Sequence, residues 1–165
     1  MLHKINATRF TSRPLNRGIF INRNKTFVVW INEEDHVRII SIQKGSNIKQ
    51  VYARLVKGIG ILEKTLKFAY HEKFGFLTFC PTNIGTGLRA SVHVKLPKLA
   101  ASGKLKPLCE QLNLQARGVH GENSESEGGV YDISNKIRIG KTEYELVNGM
   151  FIGIKKLLDE EFATK

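Results

Sequence analysis

An alternating segment at residues 88–95 is the feature that most constrains the fold of this chain. Apolar and polar side chains take turns along it: Leu88, Ala90, Val92 and Val94 against Arg89, Ser91, His93 and Lys95. Successive side chains of a β-strand point to opposite faces, so the pattern predicts a strand with one apolar and one polar face. Such a polar face is often only the solvated side of a sheet, but two cations, a hydroxyl and an imidazole also suit an anion. The residues alone leave both interpretations open.

Patterns in the first half of the chain predict strands followed by a long helix. Residues 18–31 have the pattern of two strands around a turn at 22–25, and residues 37–42 of a further strand. Asn47 can cap a helix over residues 47–68, in which Gly58 and Gly60 would allow a close approach to the sheet. Its apolar stripe consists of Ile48, Val51, Leu55, Ile59, Leu62 and Leu66.

The second half continues with alternating helices and strands. Residues 98–112 predict a helix broken at Gly103 and Pro107, and residues 114–117 and 130–135 predict strands. Residues 142–145 form a capping-box pattern before a helix with one apolar side. Together these elements predict an α+β fold, an antiparallel β-sheet backed by helices.

Length and composition predict a single globular domain over residues 1–165. The chain is 41% hydrophobic and 25% charged, and no run approaches the roughly 18 apolar residues of a membrane span. Its two cysteines, Cys80 and Cys109, have no metal-ligand spacing, which favours a reducing compartment without a disulfide framework. We therefore expect a cytoplasmic protein. A mitochondrial location is the alternative, because residues 1–32 contain cations but no acid.

The formal net charge of +11 would also suit a nucleic-acid partner. The cations are spread along the chain, however, and no RNA- or DNA-binding motif accompanies them. We therefore predict neither a nucleic-acid partner nor a membrane partner.

Three motifs carry a resemblance to a known family. Residues 80–97 are Cys-Pro-Thr-Asn-Ile-Gly-Thr-Gly-Leu-Arg-Ala-Ser-Val-His-Val-Lys-Leu-Pro, residues 30–38 are Trp-Ile-Asn-Glu-Glu-Asp-His-Val-Arg, and residues 128–136 are Gly-Gly-Val-Tyr-Asp-Ile-Ser-Asn-Lys. They resemble the signatures of the phosphagen kinases, the ATP:guanidino phosphotransferases, in their arginine kinase form. The resemblance covers nearly all of this chain but only the later part of the family's chain. It implies an N-terminally incomplete C-terminal catalytic domain.

The resemblance implies reversible transfer of the γ-phosphoryl group of ATP to the guanidinium of arginine, with a related guanidino compound as the alternative acceptor. Mg²⁺ would enter with ATP or ADP, held by phosphate oxygens and water without a protein ligand. Arginine suits phosphate because its planar guanidinium binds two oxygens and keeps its charge. The residues matched to nucleotide binding are Arg38, Arg89, Ala90, Ser91, Val92, His93, Arg117, Gly118, Val119, His120, Gly121 and Glu122.

The same resemblance assigns Glu34, Cys80 and Glu122 to the guanidino acceptor, as catalytic and substrate-binding residues. A guanidinium is a cation and a poor nucleophile, so carboxylates must hold it and help to remove a proton. Cys80 matches the family's reactive thiolate; without the resemblance, a cysteine after an apolar run is a small buried hydrophobe. Solvation would equally explain the three acids at residues 33–35.

The glycine-rich segment 118–129 is predicted to be a mobile loop that closes when both ligands bind.

The chain also departs from the family pattern. His120 and Asn123 stand where arginine kinases usually have arginine and histidine, and residues 11–16 are altered. The matched part lacks the family's N-terminal helical domain and two further phosphate-binding arginines, so we expect weak or no activity from the isolated chain. The alternative function is a catalytically deficient remnant. It would bind nucleotide, or pair with a full-length relative or with the missing N-terminal half.

Overall fold

A computed structural model describes residues 2–3, 16–118 and 128–164 of the chain. The described residues fall into two compact units. The first comprises the described part of Met1–Ala69 with Thr78–Cys80, and the second comprises Tyr70–Leu77 with the described part of Pro81–Lys165. Each unit contains its own antiparallel sheet and at least one helix. The predicted α+β class is confirmed.

The first unit contains a four-stranded sheet, formed by β1 (Leu2–His3), β2 (Gly18–Ile21), β3 (Phe27–Ile31) and β4 (Val37–Ser41) in that order. All three pairings are antiparallel. The turn between β2 and β3 lies where the sequence predicts it. Asn22 organises it, because its side-chain oxygen accepts hydrogen bonds from the backbone N–H groups of Thr26 (2.8 Å) and Phe27 (3.0 Å).

Helix α1 (Ile48–Leu62) covers this sheet. Asn47 caps it as predicted, with its side chain accepting the Gln50 N–H at 3.0 Å. At Gly58 any Cβ atom would collide with the Phe27 ring, so the expected close approach to the sheet occurs there. A Cβ atom at Gly60 would meet nothing within 4 Å, so the expectation is wrong at that residue. The helix ends at Leu62, and the predicted extension to residue 68 is wrong. Leu66, the last residue of the predicted stripe, is exposed and offers the extension no packing.

The second unit is built around a three-stranded sheet. Its strands are β7 (Ser91–Lys95), β8 (Leu114–Gly118) and β9 (Val130–Asn135), with β9 in the centre and antiparallel to both neighbours. A small hairpin of β5 (Tyr70–His71) and β6 (Gly75–Phe76) precedes it.

Strand β7 begins at Ser91, so the strand predicted from residue 88 is too long by three residues. The buried Asn135 side chain bonds the backbone of those residues instead. Its oxygen accepts the Ala90 N–H at 2.8 Å, and its amide donates to the Leu88 carbonyl at 3.1 Å. Within β7 the predicted alternation is confirmed, because residues 92 and 94 are half-buried while residues 91, 93 and 95 are exposed.

Three helices complete the second unit: α2 (Pro97–Ala101), α3 (Leu105–Gln111) and α4 (Glu143–Ala163). The predicted break at Gly103 is confirmed, since its φ of +70° is a left-handed conformation that ends α2. The predicted break at Pro107 is wrong. Pro107 lies in the first turn of α3, where the missing N–H would have no partner within the helix.

The core of the second unit lies between the apolar face of the three-stranded sheet and the helices. Helix α4 packs on β9, and α3 packs on β8. Burial of each large apolar side chain contributes about 1.5–3 kcal/mol. The most deeply buried side chains are Leu96, Leu99, Leu114, Ile133, Met150 and Leu157. Across the described ranges, no helix combines the length and apolar character of a membrane span.

The start of α4 has the predicted capping box. The Thr142 hydroxyl accepts the Glu145 N–H at 3.3 Å, and the Glu145 carboxylate accepts the Thr142 N–H at 2.8 Å. The Thr142 hydroxyl also donates to the Glu145 carboxylate at 2.8 Å. The two bonds that the carboxylate accepts, first from the backbone N–H and then from the hydroxyl of Thr142, lower the pKa of Glu145 below its ordinary value.

The lowered pKa predicts how the stability of the chain depends on acid. The contribution of Glu145 is present above its unfolded pKa and is lost as the pH falls through its folded pKa. Glu145→Gln keeps an acceptor oxygen but removes the charge. We expect wild type to lose its advantage in the free energy of unfolding, measured with urea, as the pH falls below about 4.5. A difference that stays constant through the acid range would contradict this assignment.

Candidate active site

Several residues of the second unit that are predicted to bind nucleotide lie on the polar face of the three-stranded sheet. In one row across the sheet, His93 of β7 and Arg117 of β8 both lie opposite Asp132 of β9. Paired residues of antiparallel strands point to the same face. The next row on that face is Ser91, Ser134 and Gln115. We call these two rows, together with Arg89, the cationic face.

Asp132 is the centre of the cationic face. Its Oδ2 accepts a hydrogen bond from Arg89 Nη2 at 2.6 Å, and the two side chains are 14% and 30% exposed. A charge-assisted bond this short and this shielded is stronger than an ordinary surface ion pair. Arg117, opposite Asp132, donates from Nη2 to the Gln115 side-chain oxygen at 2.9 Å. The sheet therefore holds two guanidinium groups and an imidazole around one carboxylate.

Several buried polar atoms of the cationic face have no hydrogen-bond partner among the described residues. They are Arg89 Nε, Asp132 Oδ1 and Ser134 Oγ. Buried polar atoms in proteins are normally satisfied, so these atoms provide unused donors and acceptors where a polar, anionic ligand could bind. A nucleotide, which has both phosphate oxygens and sugar hydroxyls, fits this set. In the described part of the chain, no group of three or more His, Cys, Asp or Glu could hold a metal ion.

The remaining residues predicted to bind nucleotide are placed as follows. Val92 faces away from the cationic face, paired with the buried Ile133, and the Ala90 N–H is used by Asn135. Gly118 ends β8. Val119, His120, Gly121 and Glu122, with most of the predicted mobile loop, lie outside the described residues.

The acidic loop, residues 32–36 of the first unit, joins β3 to β4. Its three acids have different surroundings. Glu33 Oε2 accepts the Glu34 N–H at 3.0 Å and lies 3.4 Å from Nη1 of Arg38, the third predicted phosphate-binding arginine. Asp35 Oδ1 accepts the backbone N–H of Phe79 at 2.6 Å. Glu34 is exposed, and its carboxylate has no hydrogen bond or ion pair with a described residue.

Cys80 lies within the first unit, one residue beyond Phe79. Its side chain is half-buried and in no disulfide, and the Thr78 hydroxyl donates to its carbonyl at 2.8 Å. The bond between Asp35 and Phe79 therefore brings the segment that carries Cys80 to the acidic loop that carries Glu34. Glu34 and Cys80 are both predicted to bind the acceptor. Glu34 precedes Asp35 in the sequence and Cys80 follows Phe79, so each is adjacent to one partner of this hydrogen bond.

Two residues are prominent in the structure but are not marked by the sequence patterns above. Asp132 lies inside the motif 128–136, where its alternation with Ser134 on a strand is the available signal. Asp35 is one of three adjacent acids, which the sequence does not distinguish from one another. Nothing in the sequence could show its bond to Phe79, because 44 positions separate the two residues.

The two cysteines are predicted to differ in reactivity. Burial, with a smaller effect of Glu110, raises the pKa of Cys109 to about 11, so at about pH 8 it is an inaccessible thiol. We expect iodoacetamide to alkylate Cys80 in the native chain and Cys109 only after urea is added, as read by peptide mass spectrometry. Cys80→Ser should then show almost no native incorporation. Modification of Cys109 as fast as Cys80 would contradict the described burial.

Comparison with known proteins identifies the family. The sequence profile described as ATP:guanido phosphotransferase, C-terminal catalytic domain, matches residues 2–164. The chain is 56% identical over 158 residues to an arginine kinase of Liolophura japonica, covering 96% of this chain and 45% of that protein. It is 54% identical to a probable arginine kinase of Caenorhabditis elegans over 163 residues, 99% of this chain and 45% of the relative. The chain thus spans less than half the length of these curated relatives.

Solved structures agree with the sequence comparison. The duplicated taurocyamine kinase of Schistosoma mansoni, with bound transition state analog components, superposes with a TM-score of 0.85 and 53% identity, covering 93% of this chain and 21% of that one. A lombricine kinase superposes with a TM-score of 0.83 and 45% identity, covering 89% of this chain and 42% of that one. The resemblance inferred from the three motifs is confirmed, and the chain belongs to the ATP:guanido phosphotransferase family, in its C-terminal catalytic domain.

Proposed function

We propose that this chain provides the C-terminal catalytic residues of an ATP:guanidino phosphotransferase, which transfers the γ-phosphoryl group of ATP reversibly to the guanidinium of arginine. The observation that carries the proposal is the cationic face, where Arg89, His93 and Arg117 surround Asp132 with unsatisfied buried polar atoms beside them. Family membership supports the reaction class. The degenerate remnant is the less favoured alternative, because these side chains are retained.

The cationic face is assigned to the nucleotide. Phosphoryl transfer asks the protein mainly for positioning and for stabilisation of charge on the transferring group. Arg89 keeps donors beyond the one it gives to Asp132, and Arg117 lies on the same face; both would bind phosphate oxygens. His93 lies in the same row and would contact the base of the nucleotide. Mg²⁺ would enter with the nucleotide, coordinated by phosphate oxygens and water.

The acidic loop and Cys80 are assigned to the acceptor. A bound guanidinium needs a carboxylate that is not already neutralised, and Glu34 is the member of the loop with no described partner. Glu34 would bind the guanidinium N–H groups and accept the proton released as the nitrogen attacks. Cys80 would contact the same guanidinium. Glu122, outside the described residues, remains the predicted second carboxylate.

Arginine is the proposed acceptor because arginine kinases are among the relatives that cover almost the whole chain. The superposed structures are named for kinases of taurocyamine and lombricine, so the shared chemistry is a guanidino group. The relatives are about twice as long as this chain. We therefore propose that turnover needs residues from the remainder of the family's chain, since each missing charge-stabilising donor raises the activation barrier by about 3–4 kcal/mol.

Nucleotide binding is the first test, and it uses the chain as it is. We expect saturable binding of MgADP in titration calorimetry. Arg89→Ala should raise the Kd at least about tenfold, because hydrogen bonds to charged groups contribute about 1.5–3 kcal/mol. Arg23→Ala is the matched control, since Arg23 is an exposed cation in the turn after β2. Equal losses in both variants would mean that only net charge attracts the nucleotide and would count against the assignment.

Phosphoryl transfer is the second test. The part of the Liolophura japonica arginine kinase that this chain does not cover would be fused ahead of it, and transfer to arginine would be measured. We expect turnover, with kcat lowered about a hundredfold or more by Glu34→Gln or Arg89→Ala and unchanged by Arg23→Ala. The proposed function would be refuted by a fusion that folds and binds MgADP but phosphorylates none of arginine, taurocyamine and lombricine.

A further inference from the structure

The three acids of the acidic loop divide into one exposed carboxylate and two that already bond other groups. Glu33 is 17% exposed and is used by Arg38 and the Glu34 N–H. Asp35 is half-buried and is used by the Phe79 N–H. Glu34, between them, is exposed. Three adjacent like charges repel one another, so an arrangement that keeps all three needs a reason for each.

The hydrogen bond of Asp35 differs from an ordinary turn contact because its two residues are far apart in the sequence. It joins residues 44 positions apart, at a donor–acceptor distance of 2.6 Å. A carboxylate that accepts a backbone N–H makes a short, charge-assisted hydrogen bond. The neighbouring backbone is held as well, since the Thr78 hydroxyl donates to the Cys80 carbonyl at 2.8 Å. Two successive backbone groups, the Phe79 N–H and the Cys80 carbonyl, are therefore held by hydrogen bonds.

We propose that Asp35 is a positioning residue, whose carboxylate holds the Phe79 N–H and thereby sets Cys80 in register with Glu34. This inference rests on the proposed function, in which Glu34 and Cys80 contact one guanidinium. Asp35 itself need not touch the substrate. Its effect comes from geometry, because a displacement of about 1 Å in a reacting group can lower a rate about a hundredfold.

The role requires an acceptor oxygen at this position more than it requires a charge. Asp35→Asn keeps an oxygen at the place of Oδ1, whereas Asp35→Ala removes it. The pair of variants therefore separates the hydrogen bond from the negative charge. Asp159→Ala is the control, because Asp159 is an exposed carboxylate on α4 in the second unit.

The geometric part is tested on the chain as it is. In hydrogen exchange followed by NMR, the Phe79 amide should be protected in wild type and in Asp35→Asn, and should exchange at least about tenfold faster in Asp35→Ala. Iodoacetamide should alkylate Cys80 several-fold faster in Asp35→Ala, while Cys109 stays unmodified, which excludes general unfolding. A Phe79 amide that exchanges equally in all variants would overturn the inference.

The functional part is tested in the fusion described above. Asp35→Ala should lower kcat for arginine about tenfold to a hundredfold and leave the Kd of MgADP within about twofold, whereas a general loss of structure would change both. Asp35→Asn should recover most of the rate. The inference is wrong if Asp35→Ala matches wild type or if Asp35→Asn is as impaired as alanine. A wild-type fusion without transfer would refute the proposed function instead, and the exchange and alkylation results would then decide the role of Asp35.

Discussion

The two-sided antiparallel pairing of β9 is the constraint on which the second unit depends. It places Asp132 opposite both His93 and Arg117, and it turns Ile133, the next residue, into the core. Because strand side chains alternate, a shift of one residue in either pairing would exchange the apolar and polar faces. The packing of α4 on β9 opposes such a shift. The same interaction thus sets both the core and the positions of the cations.

Grouping cations on one sheet face carries an electrostatic cost that Asp132 offsets. Two guanidinium groups on adjacent parts of a face repel each other, and the short bond from Arg89 to Asp132 compensates for one of them. Arg89 is thereby held in a defined orientation without losing all its donors. In the proposed nucleotide site, such pre-organisation would leave little reorganisation for the binding of phosphate. In the acidic loop the signs are reversed, because the cation Arg38 compensates the charge of Glu33 while the neighbouring Glu34 stays exposed.

The sequence predicted most of the local structure, because the controlling signals are local. The turn after β2, the Asn47 cap and the capping box before α4 were confirmed. The errors arose where a distant residue or the position within an element decides the outcome. The Asn135 side chain hydrogen-bonds the backbone of Leu88 and Ala90, so β7 begins only at Ser91. Pro107 is tolerated because it lies in the first turn of α3. The roles of Asp132 and Asp35 depend on pairings between distant segments, which periodicity cannot reveal.

The central claim is that the cationic face binds the nucleotide, and the most direct measurement is a titration of the assigned amide resonances of the chain with MgADP. The account predicts saturating shifts that are largest at Ser91, His93, Arg117 and Asp132, on neighbouring strands of one sheet. Helix α1 and the exposed side of α4 should change little. Shifts centred on those helices, or shifts that rise linearly without saturating, would contradict the account.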